Sequence, residues 1–351
     1  MKKHLQLGLL SLVIIILVSC SQNDTSEKDK VYEIELNDSQ SPTHVVAKEA
    51  TEPWAELVEK ETEGRVKINI HHNSELGGAD NVWNDVKGGV YDIGTGNLPY
   101  FFDTELFPLT IGALPLAFPD NITAEKVLEE FKDEYMEEVF DDAKWMGIGV
   151  TDGYKIFGIE PVNEISDLKN KKVRTSGNTY TQLTEEWGAV PVSFSFDELY
   201  TALQRGTVDY TFFNAVGAAP RKLNEVSPYL LDLDVAFIPY VVIINRGKYE
   251  ELPKDLQDTM DDLFPKLAEM QNEVYSEQAV KEVEHFEELV GDKGGITELD
   301  ENDSHLMDAA NKVWKNWIEE ANDKGYPGDE MAKTLIELSE EEGYEVPIQI
   351  D

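Results

Sequence analysis

Apolar and acidic residues alternate through YEIEL, residues 32–36, and set Tyr32, Ile34 and Leu36 on one face, as a half-buried strand requires. Val46, Ala50, Trp54, Leu57 and Val58 then recur at helical spacing, with Pro53 expected to start, break or kink that helix. Val66, Ile68 and Ile70 make the face of a second strand, residues 81–87 a short helix and residues 90–94 a third strand. This β-α-β-α-β order predicts a sheet with crossover helices and ligand sites beyond the strands' C-terminal ends. A second set begins near Gly153: KKVRT is a strand, residues 178–187 a helix and VPVSF a strand. Ser195 with Glu198 three residues on reads as a capping box for a helix through Leu203. VDYTFF and IPYVVIINR (residues 238–246) are strands expected to return the chain to the first set. From Pro265 or Lys266 to Val290 runs one helical pattern with Leu267, Met270, Val274 and Tyr275 as its apolar stripe. A helix of ~25 residues is ~37 Å long, enough to bridge two lobes. Residues 309–321 and 330–342 read as acidic helices. Two α/β sets crossed by more than one connection imply a hinged cleft that closes around a ligand.

The N-terminal stretch follows another pattern. Lys2 and Lys3 precede an apolar run over residues 5–18, too short for a comfortable membrane span and laid out as an export signal. Small Ser19 before Cys20, the single cysteine, matches a lipoprotein cleavage signal; the alternative is an ordinary signal peptide with an incidental cysteine. Cleavage there and acylation of Cys20 would tether the chain to the outer face of the cytoplasmic membrane. Each buried methylene adds ~0.8 kcal/mol, so more than one acyl chain is needed for stable anchoring. With Cys20 so used, no thiol remains for a disulfide, a metal site or a nucleophile. Residues 21–30, SQNDTSEKDK, lack any apolar period. The expected order is therefore signal peptide 1–19, anchored tether 20–30 and a folded body from Val31.

Charge alters this picture more than length does. The 351 residues, 41% hydrophobic, suit a soluble body of about two domains. They carry 30 lysines and arginines against 70 aspartates and glutamates, a formal −40 that becomes −42 when Lys2 and Lys3 leave with the signal. Such a balance excludes nucleic acid and anionic membrane surfaces as partners and leaves the lipid anchor as the membrane contact. Self-repulsion is relieved by salt, because the Debye length falls from ~10 Å at 0.1 M to ~3 Å at 1 M, so a saline habitat is expected. An anionic ligand would be repelled at long range unless the sign reverses locally. Residues 155–174 provide a reversal: Lys155, Lys169, Lys171, Lys172 and Arg174 against Glu160, Glu164 and Asp167. The three middle lysines read as solvated, leaving Lys155 and Arg174 as site candidates.

Arg174 stands inside a short strand with no catalytic constellation nearby. Its planar fork meets a carboxylate with two parallel hydrogen bonds, each worth roughly 1.5 to 3 kcal/mol when charge-assisted. Capture of an anion fits this placement, and so does a surface ion pair with Asp167 or Asp209. No G-x-S-x-G, H-E-x-x-H, P-loop or helix-opening G-x-G-x-x-G occurs, so nothing points to an enzyme or a cofactor. His71 and His72 end a strand and face opposite ways, which makes metal binding there improbable. Asp232 and Asp234 share a strand face and read as solvated charge. The run ENDSH, residues 301–305, lacks calcium-loop spacing.

The order DLKNKKVR (167–174), helix, GAVPV (188–192) and ELYTALQRGTVD (198–209) resembles the extracytoplasmic substrate-binding subunits of tripartite ATP-independent periplasmic (TRAP) transporters. The likeness extends to PWAELVEKETEGRVKINI (53–70), ELGG (75–78), GGVYDIG (88–94), LPLAFP (114–119) and PYVVIINRGKYEELPKDLQ (239–257). It implies an α/β, two-lobed periplasmic-binding-protein-like fold with a hinged cleft and a long bridging helix. Lobe 1 would comprise 31–152 with about 241–280, and lobe 2 would comprise 153–240 with about 281–351. It implies capture of an organic acid for a membrane permease, with Arg174 as the carboxylate clamp. Lys155 falls where many relatives have a second arginine. Phe196 falls at an apolar cleft position, and Asn97 and Tyr100 fall where relatives place polar contacts; a turn residue and a surface aromatic are their plain alternatives. Phe213 takes the place of a ligand-bonding asparagine, with Asn214 one residue later. A ring there implies an aromatic or apolar pocket and a monocarboxylate, unless Phe213 simply packs the core. His44 either faces the cleft or starts a helix without touching ligand. A sensor module for a membrane receptor, an ectoine-type compatible-solute binder and, least favoured, a secreted α/β enzyme are the rival readings.

Overall fold

The computed structural model describes residues 30–136, 140–299 and 303–350. The expected signal peptide, the lipidation site Cys20, residues 20–29 of the tether and Glu301 and Asn302 of the ENDSH run lie outside the described residues. Strand β1 (Tyr32–Asn37) buries Tyr32, Ile34 and Leu36 and pairs in parallel with β2 (Val66–His71) and β3 (Ile93–Asn97). Helices α1 (Glu52–Glu61) and α2 (Val82–Lys87) are the crossovers. Pro53 lies in the first turn of α1 and does not break the helical run, because a wider helical turn over Ala47–Thr51 precedes it and takes up the ring and its missing N–H. Helix α3 (Asn121–Tyr135) starts at Asp120, whose carboxylate accepts from the Thr123 N–H at 2.7 Å, and leads to β4 (Ala143–Val150).

The second sheet opens with β5 (Tyr154–Gly158), followed by β6 (Lys172–Thr175), α4 (Asn178–Glu186), β7 (Val190–Ser193), α5 (Leu199–Gln204), β8 (Tyr210–Asn214), α6 (Ala215–Ala218) and β9 (Tyr229–Ala236). Then β10 (Pro239–Asn245) returns to the first sheet, ahead of α7 (Arg246–Glu250), α8 (Lys254–Val290), β11 (Gly295–Thr297), α9 (Ser304–Asp323) and α10 (Gly328–Glu341). The strand orders are β2-β1-β3-β10-β4 and β11-β9-β5-β8-β6-β7. Both sheets mix parallel pairs with antiparallel ones, β10 on β3 and β4 in the first and β5 on β8 and β9 in the second. The fold is α/β and two-lobed, and the chain passes between the sheets through residues 151–153, through residues 237–238 and along α8.

Several expectations need correction. VDYTFF stays in the second sheet as β8, and the return to the first is made by β10 alone. The bridging helix begins at Lys254, spans 37 residues and contains Pro265 in its interior; at 1.5 Å per residue it is roughly 55 Å long. It packs on β4 and α1 along its first part and on α6 farther on, where Phe286 meets Phe157 at 5.4 Å between ring centroids. Ser195 makes no cap, because residues Phe196–Glu198 form a 3₁₀ turn and its hydroxyl turns to Asp197. A reciprocal capping box forms instead at Glu164 and Asp167. The C-terminal helices, expected with lobe 2, strap both lobes. In α9, Asn316 donates to Gln182 of α4 while Trp317 donates to Thr110 of the first lobe at 2.9 Å, and α10 packs on α3.

Candidate functional site

The C-terminal ends of β1, β3 and β8 converge on one narrow cavity between the lobes, partly open to solvent. Asp38, Gln40 and Asn97 line it from the first lobe, together with Tyr240 of β10 and Tyr275 of α8. Tyr154, Phe196, Phe213, Asn214 and Arg221 line it from the second. The lobes touch close by: a Cβ on Gly177 would lie 2.2 Å from the Pro99 carbonyl oxygen, and φ there is +86°, so only glycine fits.

Arg221 was not singled out by any pattern in the sequence, yet it is the cation that faces this cavity. It follows α6 and Pro220, its Nη1 donates to the Gly217 carbonyl at 3.0 Å, and its guanidinium carbon lies 4.8 Å from the Phe196 ring centroid and 5.3 Å from that of Phe213. It also lines the mouth of the cleft, beside Ser39 and Asn73 of the first lobe. Among the described residues no carboxylate reaches ion-pair distance of it. The acid four residues on, Glu225, which would suggest a local pair, accepts from Tyr200 instead. Burial pushes the Arg221 pKa down from its ordinary value.

Arg174 is 0% exposed and stands behind the cavity wall rather than in it. Its Nε and Nη2 donate to the Phe194 carbonyl at 3.1 and 2.9 Å, Nη1 to the Phe212 carbonyl at 3.4 Å and Nη2 to the Tyr100 hydroxyl at 3.2 Å. It forms no surface ion pair: Asp209 accepts from the Lys172 N–H and Asp167 from Asn163 and Glu164. Tyr100 is thus a partner of Arg174 and does not line the cavity.

Lys155, expected as a second cleft cation, is drawn away by the neighbouring strand. Its Nζ meets Asp232 at 2.5 Å and Asp234 at 2.7 Å on β9, so the two carboxylates read as solvated charge form its counterion pair. His44 also falls outside the lining. It is 1% exposed, its Nδ1 accepts from the Val46 N–H at 3.1 Å and its Nε2 has no partner. Burial first, then the charge of Arg221, pushes its pKa down to about 3, which keeps it neutral with the proton on Nε2. Asn97, Phe196, Phe213 and Asn214 do line the cavity. Asn214 also donates to Asp152 at 2.5 Å; burial holds that carboxyl, in the segment joining the sheets, up to about 7 despite bonds from Asn214 and the Val216 N–H.

His71 and His72 go to different carboxylates, Glu35 and Asp38. Among the described residues no cluster of histidine, cysteine and carboxylate side chains is arranged for a metal, and no helix is long and apolar enough to cross a membrane.

Residues 36–321 match the family described as bacterial extracellular solute-binding protein, family 7. The 2,3-diketo-L-gulonate-binding periplasmic protein of Escherichia coli is 27% identical over 285 residues, covering 77% of this chain and 80% of the relative. A TRAP periplasmic solute-binding protein from Desulfovibrio salexigens, solved as an open complex, superimposes with a TM-score of 0.74 at 25% identity, covering 89% of this chain and 97% of that one. A marine metagenome TRAP solute-binding protein solved with metahydroxyphenylacetate has the same fold, with a TM-score of 0.82 at 21% identity over 89% of this chain and 100% of that one.

Proposed function

This chain belongs to bacterial extracellular solute-binding protein family 7, and from that premise we propose that it captures an organic monocarboxylate between its lobes for a TRAP-type membrane permease. The observation that carries the reading is a pair of arginines at the cavity, Arg174 fully buried and Arg221 half-buried, neither with a carboxylate partner among the described residues, in a protein of net charge −40. A buried charge left without a counterion costs several kcal/mol, and an arriving carboxylate removes that cost. Arg221 meets the carboxylate directly. Arg174, whose donors are held by carbonyls and by Tyr100 across the cleft, adds its charge from behind and ties the two lobes. The rings of Tyr154, Phe196 and Phe213 contact the ligand body, which supports an apolar or aromatic acid. Acylation of Cys20 would keep the chain beside the permease.

Differential scanning fluorimetry in molar NaCl with a panel of organic acids tests this. Wild-type protein is expected to be stabilised by monocarboxylates such as phenylacetate and not by succinate. Arg221→Ala should weaken the monocarboxylate by about 100-fold, about 3 kcal/mol. The same variant should melt no lower than wild type without ligand, since it removes a half-buried charge that no carboxylate partners among the described residues. Undiminished affinity in Arg221→Ala would refute the assignment.

A further inference from the structure

The cavity has a polar end that the anion does not use. On the first-lobe wall the cavity holds Asp38, 2% exposed, directly beyond the end of β1. One of its oxygens accepts from the Gln40 N–H at 2.9 Å and the other meets His72 Nδ1 at 3.2 Å. A carboxylate offers about four acceptor sites, so two protein bonds leave it capacity toward the cavity. Beside it the Gln40 side chain reaches the Tyr275 hydroxyl at 3.4 Å through Nε2, and its Oε1 is buried without a partner. The cavity therefore sets a cation on the second lobe against a carboxylate on the first.

Resting on the reading of this cavity as an organic-acid site, we propose that Asp38 is a specificity residue. It accepts a hydrogen bond from a hydroxyl or amino group at the end of the ligand remote from its carboxylate. The preferred class is then a hydroxy- or amino-substituted monocarboxylate. An acid lacking that donor leaves a desolvated carboxylate unsatisfied, and a second carboxylate at the same end meets like charge where water is scarce. An asparagine at this position would keep the bond from the Gln40 N–H while losing the charge and the oxygen that faces His72.

Isothermal titration calorimetry with phenylacetate, 4-hydroxyphenylacetate, 4-aminophenylacetate and 4-carboxyphenylacetate, and with hexanoate and 6-hydroxyhexanoate, separates the possibilities. Wild-type protein is expected to bind the donor-bearing acid of a series roughly 10- to 100-fold more tightly than its parent. It should reject the dicarboxylate. Asp38→Asn should lose most of the preference for the donor-bearing acid over its parent and accept 4-carboxyphenylacetate at least tenfold better than wild type does, about 1.4 kcal/mol. The wild-type panel decides the matter even if the variant fails to fold. Parent acids that bind as tightly as their hydroxylated forms overturn the role of Asp38 and leave the organic-acid site standing. If no monocarboxylate of either series binds, the reading of the cavity itself fails and this inference falls with it.

Discussion

Two arginines lie near one cavity, and the atoms around each decide what it can do. Arg174 spends its donors on backbone carbonyls, whereas Arg221 gives one to Gly217 and lies over two rings with the rest of its fork toward the cleft. Beside them His44 is an imidazole buried next to a cation, and its behaviour is open to a direct measurement. The unfolded chain takes up a proton near 6.5, and the folded chain holds off until about 3. Between those values the unfolded state binds more protons, so His44 makes stability fall as the pH drops. Asp152 acts the other way. Its folded pKa is raised from 3.8 to about 7, so the folded state holds the extra proton and stability falls as the pH rises through that window. The two slopes oppose each other between about 4 and 6.5, which makes a melting curve against pH uninformative about either group. Nitrogen-detected NMR of the imidazoles is the suitable probe. His44 should appear as the neutral Nε2–H form with no titration from pH 8 to pH 5, and a midpoint above pH 6 would show that its pocket admits charge.

At the level of strands, the pairing of Gly149 on β4 with Tyr240 on β10 ties the first sheet to the cavity wall. The tyrosine ring lies across the glycine, where a Cβ would come within 2.0 Å of it, and its hydroxyl donates to Gln271 at 2.9 Å. Gly149→Ala should push the ring toward the ligand, breaking that bond. The expected loss is about 2 kcal/mol of stability, with weaker acid binding; melting and calorimetry on the same variant would reveal it, and unchanged values in both would show that the ring moves freely. Strands with one solvated face, such as β1 and β2, were legible because their apolar residues alternate. β4 and β5 were not, since AKWMGIGV and YKIFG are buried on both faces and carry no period to read. Site residues divide on similar lines. Phe196, Phe213 and Asn214, which line the cavity, were placed by the family resemblance and not by any period in the chain. Lys155 was misplaced because its counterions lie 77 and 79 residues along the chain, one strand over, and sequence spacing carries no trace of that pairing. Arg221 escaped notice because what sets it apart is the absence of a carboxylate within reach, which only folding determines.

Across the whole molecule the acid excess opposes compactness. With 70 carboxylates against 30 cations, many acids have no partner, and ion pairs such as Lys60–Glu61 and Lys254–Asp258 are largely exposed and contribute little. Closing two lobes that each carry negative charge adds a further repulsion. Salt should relieve both, and its dependence distinguishes screening from general salting-out. Screening acts mostly below about 0.5 M, where the Debye length contracts from ~30 Å at 0.01 M to under ~10 Å. Salting-out keeps growing at higher concentration. The ligand-free melting midpoint should therefore climb steeply from 10 mM to about 0.5 M NaCl and more gently beyond. Sucrose, which carries no charge, should produce only the gentle part. A midpoint that stays flat or falls as NaCl is added would mean that the carboxylates are dispersed widely enough to be harmless, and the acidic surface would then need a cause other than adaptation to salt.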